Sequence, residues 1–175
     1  MRTEGMNAAD AACANANLES SQSINYLRSI VAQKCERIIR EIIIHCSASK
    51  EMKDFGAGDI RRWHLERGFN DIGYHYVVRL DGTIEPGRPL AKAGAHCLNH
   101  NRHSIGVCYI GGLASDGRTP KDTRTAEQRQ ALLSLLQHLI DRYPQAKIHS
   151  HRDFAAKACP CFDATAEYAG LRPRK

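Results

Sequence analysis

The sequence predicts an α/β fold, with strands and helices alternating in a single domain over about residues 37–171. The run Arg40–Cys46 (REIIIHC) has a continuous β-branched stretch, Ile42–Ile44, which is typical of a strand buried on both faces. After a capping box of Thr125 and Gln128, apolar residues recur at helical intervals, which predicts an amphipathic helix that begins at Thr125. The chain has 175 residues, 42% of them hydrophobic, so it can bury a core without disulfide bridges.

Further elements are predicted between and after these two segments. A helix over Gly58–Gly68 places Asp59 in its first turn, where a negative charge favours the helix dipole. The helix that follows Thr125 should end before Pro144. The dipeptide Asp81-Gly82 predicts a hairpin turn. The other predicted elements are strands at Gly73–Leu80, Thr83–Glu85, Ser104–Ile110 and Ala146–His149, and a last helical turn at Asp163–Tyr168.

The two ends of the chain are predicted to lie outside the domain. Residues 1–36 form an N-terminal extension, in which residues 1–20 lack apolar periodicity and residues 24–34 have the pattern of a short amphipathic helix. Residues 172–175 form a basic tail. The first residues lack the apolar core of a secretory signal, and no segment is apolar enough to span a membrane. We therefore expect the protein to be made and kept in the cytoplasm unless something else releases it.

The net charge indicates which kinds of partner the protein favours, and the cysteine pattern indicates what its thiols do. Lys and Arg number 25 and Asp and Glu 19, so the net charge of +6 favours anionic partners such as nucleic acid, acidic lipid or a cell-wall polymer. No run of basic residues resembles a nucleic-acid-binding arm, which disfavours nucleic acid. The 7 cysteines are scattered rather than arranged as a disulfide framework, so metal ligands or buried thiols are expected.

Histidines and cysteines near the predicted strand ends suggest two kinds of zinc site, because imidazole and thiolate are the ligands that zinc prefers. In a local site, His149, His151, Cys159 and Cys161 would hold a structural zinc within 13 residues. In a distributed site, three ligands from distant segments, with His45 at the end of the first strand, would leave a position for water, as in zinc hydrolases. The spacing alone leaves both open.

Five segments decide between them by resemblance. They are IIIHCSAS at residues 42–49, IRRWHLERGF at 60–69, GYHYVVRLDGTIEPGR at 73–88, NRHSIGVCYIGG at 101–112 and HRDFAAKACPCFD at 151–163. In this order they resemble the zinc-dependent N-acetylmuramoyl-L-alanine amidases, a family that includes the lysozymes of T-odd bacteriophages and the peptidoglycan recognition proteins. The resemblance covers about Arg40–Tyr168, roughly three quarters of the chain. It implies a single domain with a mixed central β-sheet flanked by helices.

The resemblance also assigns roles to individual residues. The family's metal ligands fall on His45, His151 and Cys159, and its catalytic residues on Tyr74 and Lys157. The expected cofactor is therefore Zn²⁺.

Other residues are predicted to support this site. His96 matches a position in the family's substrate groove, and we assign Asn101 and His64 to the same groove. Asp153 is a candidate acceptor for the N–H of a ligand imidazole. Cys161 is expected to be an oxidation partner for Cys159, while Cys46 is expected to point to the opposite strand face as a buried, small apolar residue.

The function implied by the resemblance is hydrolysis of the amide between N-acetylmuramic acid and L-alanine in peptidoglycan. The expected protein is a monomeric endolysin of a phage or prophage that acts on the cell wall. One alternative is a recognition module that binds peptidoglycan without cutting it, although Cys159 argues against this alternative. Another alternative is a protein stabilised by the local zinc site.

Overall fold

The computed structural model describes residues 23–174, and the chain divides into two compact units, Met1–Ala32 and Gln33–Lys175. Within the first unit residues 23–31 form a helix, α1, where the sequence predicts one over residues 24–34. The tail predicted at residues 1–20 lies outside the described residues. The domain limits at residues 37 and 171 stay a prediction.

The second unit contains a five-stranded sheet and a two-stranded sheet. The elements are β1 (Glu41–Cys46), β2 (Ser49–Lys50), α2 (Ala57–Glu66), β3 (Tyr76–Val78), β4 (Ile84–Pro86), β5 (Ser104–Tyr109), β6 (Gly112–Leu113), α3 (Ala126–Arg142), β7 (Lys147–Ser150) and α4 (Ala164–Glu167). In the larger sheet the strand order is β4-β3-β5-β1-β7, with β4 antiparallel to β3 and the other neighbours parallel. The predicted mixed central sheet is thus confirmed. Strands β2 and β6 pair in parallel as the smaller sheet, which no pattern in the sequence predicts.

Strand β1 lies inside the sheet between β5 and β7. Ile42, Ile43 and Ile44 are fully buried, as the continuous β-branched run predicts for a parallel strand covered on both faces. Strand β7 lies at the edge of the sheet.

Helix α3 begins with the predicted capping box. The backbone N–H of Gln128 donates to Thr125 Oγ1 at 3.0 Å, and the backbone N–H of Thr125 donates to Gln128 Oε1 at 3.1 Å. The buried Gln128 amide also donates to the carbonyls of Val78 and Ile110, which ties α3 to β3 and to the end of β5. The helix ends at Arg142, before Pro144 as predicted. Among residues 23–174, no helix is both long enough and apolar enough to cross a membrane.

Helix α2 covers the sheet face that carries the candidate site. Its Ile60 packs in a buried cluster with Val77 of β3 and Cys108 of β5. Cys108 is aligned with Val77 on one side and with His45 of β1 on the other. Aligned residues of neighbouring strands share a face, so His45 lies on the α2 side of the sheet.

Strand β3 is shorter than the predicted strand over Gly73–Leu80. The residues before it bond to a loop instead, because the Gly73 carbonyl accepts from the Ala95 N–H at 3.0 Å and the Tyr74 carbonyl from the Arg88 N–H at 2.8 Å. These bonds place Tyr74 at the border between the sheet and the loop.

Candidate active site

Three predicted metal ligands meet at one edge of the sheet. His45 is the residue before the last of strand β1, His151 directly follows β7, and Cys159 lies in the loop after β7. Since β1 and β7 are parallel neighbours, their carboxyl ends point to the same edge. The rings of His45 and His151 are 4.4 Å apart, and Cys159 Sγ is 3.9 Å from His45 Nδ1. One ligand atom from each of the three residues lies within 4.8 Å of the others.

The donor set of His45, His151 and Cys159 fits a zinc ion. Zinc bonds of about 2.0–2.3 Å in a tetrahedron place donor atoms roughly 3.3–3.8 Å apart, close to the 3.9 Å between His45 Nδ1 and Cys159 Sγ. The backbone N–H of Cys46 donates to Cys159 Sγ at 3.2 Å, which ties this sulfur to the end of β1. Burial, followed by the charges of His96, His151 and Lys157, holds the pKa of His45 well below its usual value. The imidazole is therefore neutral, as a metal ligand must be.

The local four-ligand zinc site does not form. Within residues 23–174, the cluster of three or more candidate metal ligands comprises His45, His151 and Cys159 and leaves out His149 and Cys161. The His149 ring lies against Phe154 at 5.1 Å between centroids. The geometry therefore disfavours the local site and brings together three residues that could serve as the distributed ligand set.

The neighbour of the Cys161 thiol is Cys46 rather than the expected Cys159. The sulfur atoms of Cys46 and Cys161 are 3.8 Å apart, and the Cys161 thiol donates to the Gly112 carbonyl at 3.2 Å. Cys46 is buried, as expected from its place in β1. The sequence could not show this pair because the two cysteines are 115 residues apart.

The ring of Tyr74 and the charge of Lys157 both act on the ligand cluster. The Tyr74 ring lies 5.1 Å from the His45 ring. Burial, followed by the neighbouring cysteines, raises the pKa of the Tyr74 phenol well above its usual value, so the hydroxyl remains a hydrogen-bond donor at neutral pH. Lys157 is exposed, and its charge contributes, after burial, to the lowered pKa of His151. The phenol thus packs against the cluster, and the charge of Lys157 acts on two of its histidines, His45 and His151.

The residues assigned to the substrate groove make contacts within the protein. Asn101 Oδ1 accepts hydrogen bonds from the backbone N–H groups of His96 and Cys97, at 2.8 Å and 3.0 Å. His64 Nδ1 accepts from the Gly73 N–H at 2.9 Å. The His96 ring lies beside the His45 ring, with 4.9 Å between centroids. Substrate contacts of His96, Asn101 and His64 stay a prediction.

Asp153 acts on the turn that carries His151 rather than on a ligand ring. Its carboxylate accepts from the backbone N–H of Ser150 at 3.0 Å and from the Thr165 hydroxyl at 2.5 Å. The imidazole near this carboxylate is that of His149, whose Nδ1 lies 3.8 Å from Asp153 Oδ2 and which is not in the ligand cluster. The expectation that Asp153 orients a ligand imidazole is therefore corrected, because the short turn directs its carboxylate back to the end of β7.

The lowered pKa of His64 leads us to predict how the stability of the protein depends on pH. Burial, with the charges of Arg67 and Arg88, lowers its pKa to about 4. The unfolded chain takes up this proton near pH 6.5, so His64 makes stability fall as the pH drops from about 6.5 to 4. His64→Asn keeps an acceptor for the Gly73 N–H but does not titrate. As the pH falls, the stability of the His64→Asn protein should fall less steeply than that of the unchanged protein. The two slopes should differ by up to about 1.4 kcal/mol per pH unit.

Urea unfolding at pH 7 and pH 5, with a chelator present throughout, measures this difference between His64→Asn and the unchanged protein. Only the change between the two pH values matters, because the substitution also alters helix propensity and the stacking on Phe69. Equal losses of stability in the two proteins would contradict the assignment.

Comparison with known protein families matches residues 35–162 to the family described as N-acetylmuramoyl-L-alanine amidase. The chain belongs to this family. The amidase is 46% identical over 123 residues to the endolysin of Klebsiella phage KP32, covering 70% of this chain and 81% of that protein. It is 43% identical over 122 residues to the endolysin of Escherichia phage T7, covering 70% and 80%.

Solved structures agree with this membership. The amidase superposes on the endolysin N-acetylmuramoyl-L-alanine amidase LysCS of Clostridium intestinale with a TM-score of 0.65 at 26% identity, covering 78% of this chain and 85% of that one. Drosophila PGRP-LB gives a TM-score of 0.63 at 27% identity, covering 79% and 84%. The family and the fold expected from the five segments are thus confirmed.

Proposed function

We propose that this amidase is a zinc-dependent endolysin that hydrolyses the amide bond between N-acetylmuramic acid and L-alanine in bacterial peptidoglycan. The observation that carries the proposal is the convergence of His45, His151 and Cys159 beside Tyr74, in a chain of the N-acetylmuramoyl-L-alanine amidase family. Two histidines and one cysteine leave a fourth tetrahedral position for water or substrate, as in catalytic zinc sites.

Zinc held by these three residues would supply Lewis acidity, which polarises a carbonyl and lowers the pKa of water. The protein's own contribution begins with the ligand geometry. His45 is held within the sheet and Cys159 accepts the Cys46 N–H, so two of the donors are fixed before a metal binds. Such preorganisation reduces the reorganisation needed during the reaction.

Tyr74 and Lys157 act on the charge that develops in the reaction. Water adds to the lactyl carbonyl carbon, the carbonyl oxygen becomes negative, and the C–N bond then breaks as the amine takes up a proton. The protonated Tyr74 hydroxyl can donate to this oxygen, and each donor of this kind contributes roughly 3–4 kcal/mol. The Lys157 ammonium either stabilises the same charge or supplies the proton to the leaving amine.

The substrate class follows from the family and from the charge. A net charge of +6 attracts anionic polymers of the cell wall. The endolysins of phages KP32 and T7 are similar to this chain over most of their length. That the protein waits in the cytoplasm before lysis, and that it is a monomer, both stay predictions of the sequence.

Digestion of purified peptidoglycan tests the proposal. The soluble products should be stem peptides with a free N-terminal L-alanine, identified by mass spectrometry. A chelator should abolish their release, and one equivalent of zinc should restore it, since the fourth position functions only with the metal present.

Two other outcomes would reject the proposal. If the protein sediments with intact peptidoglycan and releases no peptide, it is a recognition module of the kind considered as the alternative. If peptides are released equally with and without chelator, the zinc dependence is wrong even though the bond is right.

A further inference from the structure

His96 is joined by hydrogen bonds to the ligand His45 and to a buried serine. His96 Nδ1 lies 3.0 Å from His45 Nε2, with the two rings nearly perpendicular at 82°. His96 Nε2 lies 3.2 Å from Ser104 Oγ, and Ser104 is fully buried. Both ring nitrogens of His96 therefore have partners inside the protein.

Two glycines enclose the His96 ring. A Cβ atom at Gly106 would lie 2.5 Å from Cδ2 and 2.6 Å from Cγ of the ring, and a Cβ at Gly94 would also collide with Cδ2. Gly106 lies within the central strand β5, where glycine normally weakens a strand. Its absence of a side chain opens a slot on the face that also carries His45. The slot holds the ring in one orientation.

The backbone of His96 is fixed as well. Its N–H donates to Asn101 Oδ1 at 2.8 Å, and the neighbouring Ala95 N–H donates to the Gly73 carbonyl at 3.0 Å. The contacts at the ring and the backbone thus place His96 Nδ1 at one position relative to His45.

The direction of these hydrogen bonds follows from the metal site. His45 directs Nδ1 towards Cys159 Sγ and Nε2 towards His96. A ligating nitrogen carries no proton, so the proton of His45 is on Nε2 and is donated to His96 Nδ1. His96 then carries its own proton on Nε2 and donates it to Ser104 Oγ. Protein residues commonly accept the second N–H of a metal-bound histidine, and this contact fixes its tautomer and ring orientation.

We propose that His96 is a positioning residue for the metal ligand His45, with Ser104 as the outer member of the chain. This inference rests on the zinc site of the proposed function and gives His96 a role through the metal instead of through the substrate. Loss of such a partner typically lowers metal affinity by about 10–100-fold.

A matched pair of substitutions tests the proposal. Asparagine and leucine have nearly the same shape, but in His96→Asn the Oδ1 atom can replace Nδ1 as the acceptor, whereas His96→Leu offers none. Zinc affinity is measured by competition with a chromophoric chelator. His96→Leu should bind zinc about 10–100-fold more weakly, and His96→Asn should recover most of this loss. The visible spectrum of the Co²⁺-substituted protein should change in His96→Leu and resemble the unchanged protein in His96→Asn.

Other results of these experiments would show whether the zinc site or only the positioning role of His96 is wrong. If the unchanged protein does not bind one zinc, the proposed function fails before His96 is tested. If His96→Leu binds zinc as tightly as the unchanged protein but shows a raised KM, His96 contacts substrate and the positioning role is rejected. Should His96→Leu fail to fold, Ser104→Ala provides the test, because it removes only the hydroxyl that fixes the tautomer. Unchanged zinc affinity in Ser104→Ala would then overturn the proposed chain.

Discussion

His45→Ala should abolish stoichiometric zinc binding and reduce peptide release to the level of the chelator-treated protein. His45 supplies one of three ligands, and its imidazole is buried at the centre of the cluster, with the rings of Tyr74, His96 and His151 around it. Two remaining ligands do not hold zinc at the concentrations of an assay, so no Lewis acid is available for the reaction. Zinc content after dialysis and mass analysis of the released peptides measure both effects.

The matched control for this prediction is His149→Ala. His149 lies on β7 two residues before His151, but its ring contacts Phe154 and it is outside the ligand cluster. This variant should retain one zinc and nearly full activity. The opposite pattern, in which His149→Ala loses the zinc and His45→Ala keeps it, would restore the local structural site and remove the basis for catalysis.

Much of the fold could be predicted from the sequence because local signals were strong. The capping box of Thr125 and Gln128 and the stop before Pro144 predict α3 almost to the residue. The run of isoleucines predicts β1 as a strand covered on both faces. The pairing of β2 with β6 was missed because two-residue strands have no periodicity.

The site was predicted only in part. Spacing left two zinc sites open, because it cannot show that β1 and β7 are neighbours and so bring His45 to His151. The resemblance to a family resolved the choice of ligands. It did not reveal that Cys161 lies against Cys46, since that contact depends on how the loop after β7 returns to the sheet.

Some contacts around the site have no sequence signal at all. In the sequence Gly106 is one more small residue in an apolar strand, yet the His96 ring occupies the space that its missing side chain leaves. Ser104 begins the same strand and resembles a turn residue, but it is fully buried and faces His96. Such contacts depend on the distance between a loop and a strand, which only the folded structure defines.

Tyr74→Phe should lower kcat by about 10²–10³-fold while leaving zinc affinity and KM unchanged. The substitution removes only the hydroxyl and keeps the ring that packs 5.1 Å from His45 and 5.4 Å from His64. Because the hydroxyl would act on charge that appears during the reaction, its loss affects the rate and not substrate binding. Steady-state kinetics on a soluble muramyl peptide, together with zinc titration, measure these quantities.

Because the pKa of Tyr74 is raised, the pH dependence of kcat can show whether its hydroxyl acts as a hydrogen-bond donor or as a base. Burial is the main cause of a pKa well above 10, so the phenol stays protonated and donates throughout the range below pH 10. If Tyr74 is a donor, its contribution to kcat, taken as the ratio of the unchanged protein to Tyr74→Phe, should be constant from pH 7 to pH 10. A ratio that rises with pH would show that the phenolate acts as a base. Tyr143→Phe, at the C-terminal end of α3, makes the same chemical change outside the site and should leave kcat unchanged.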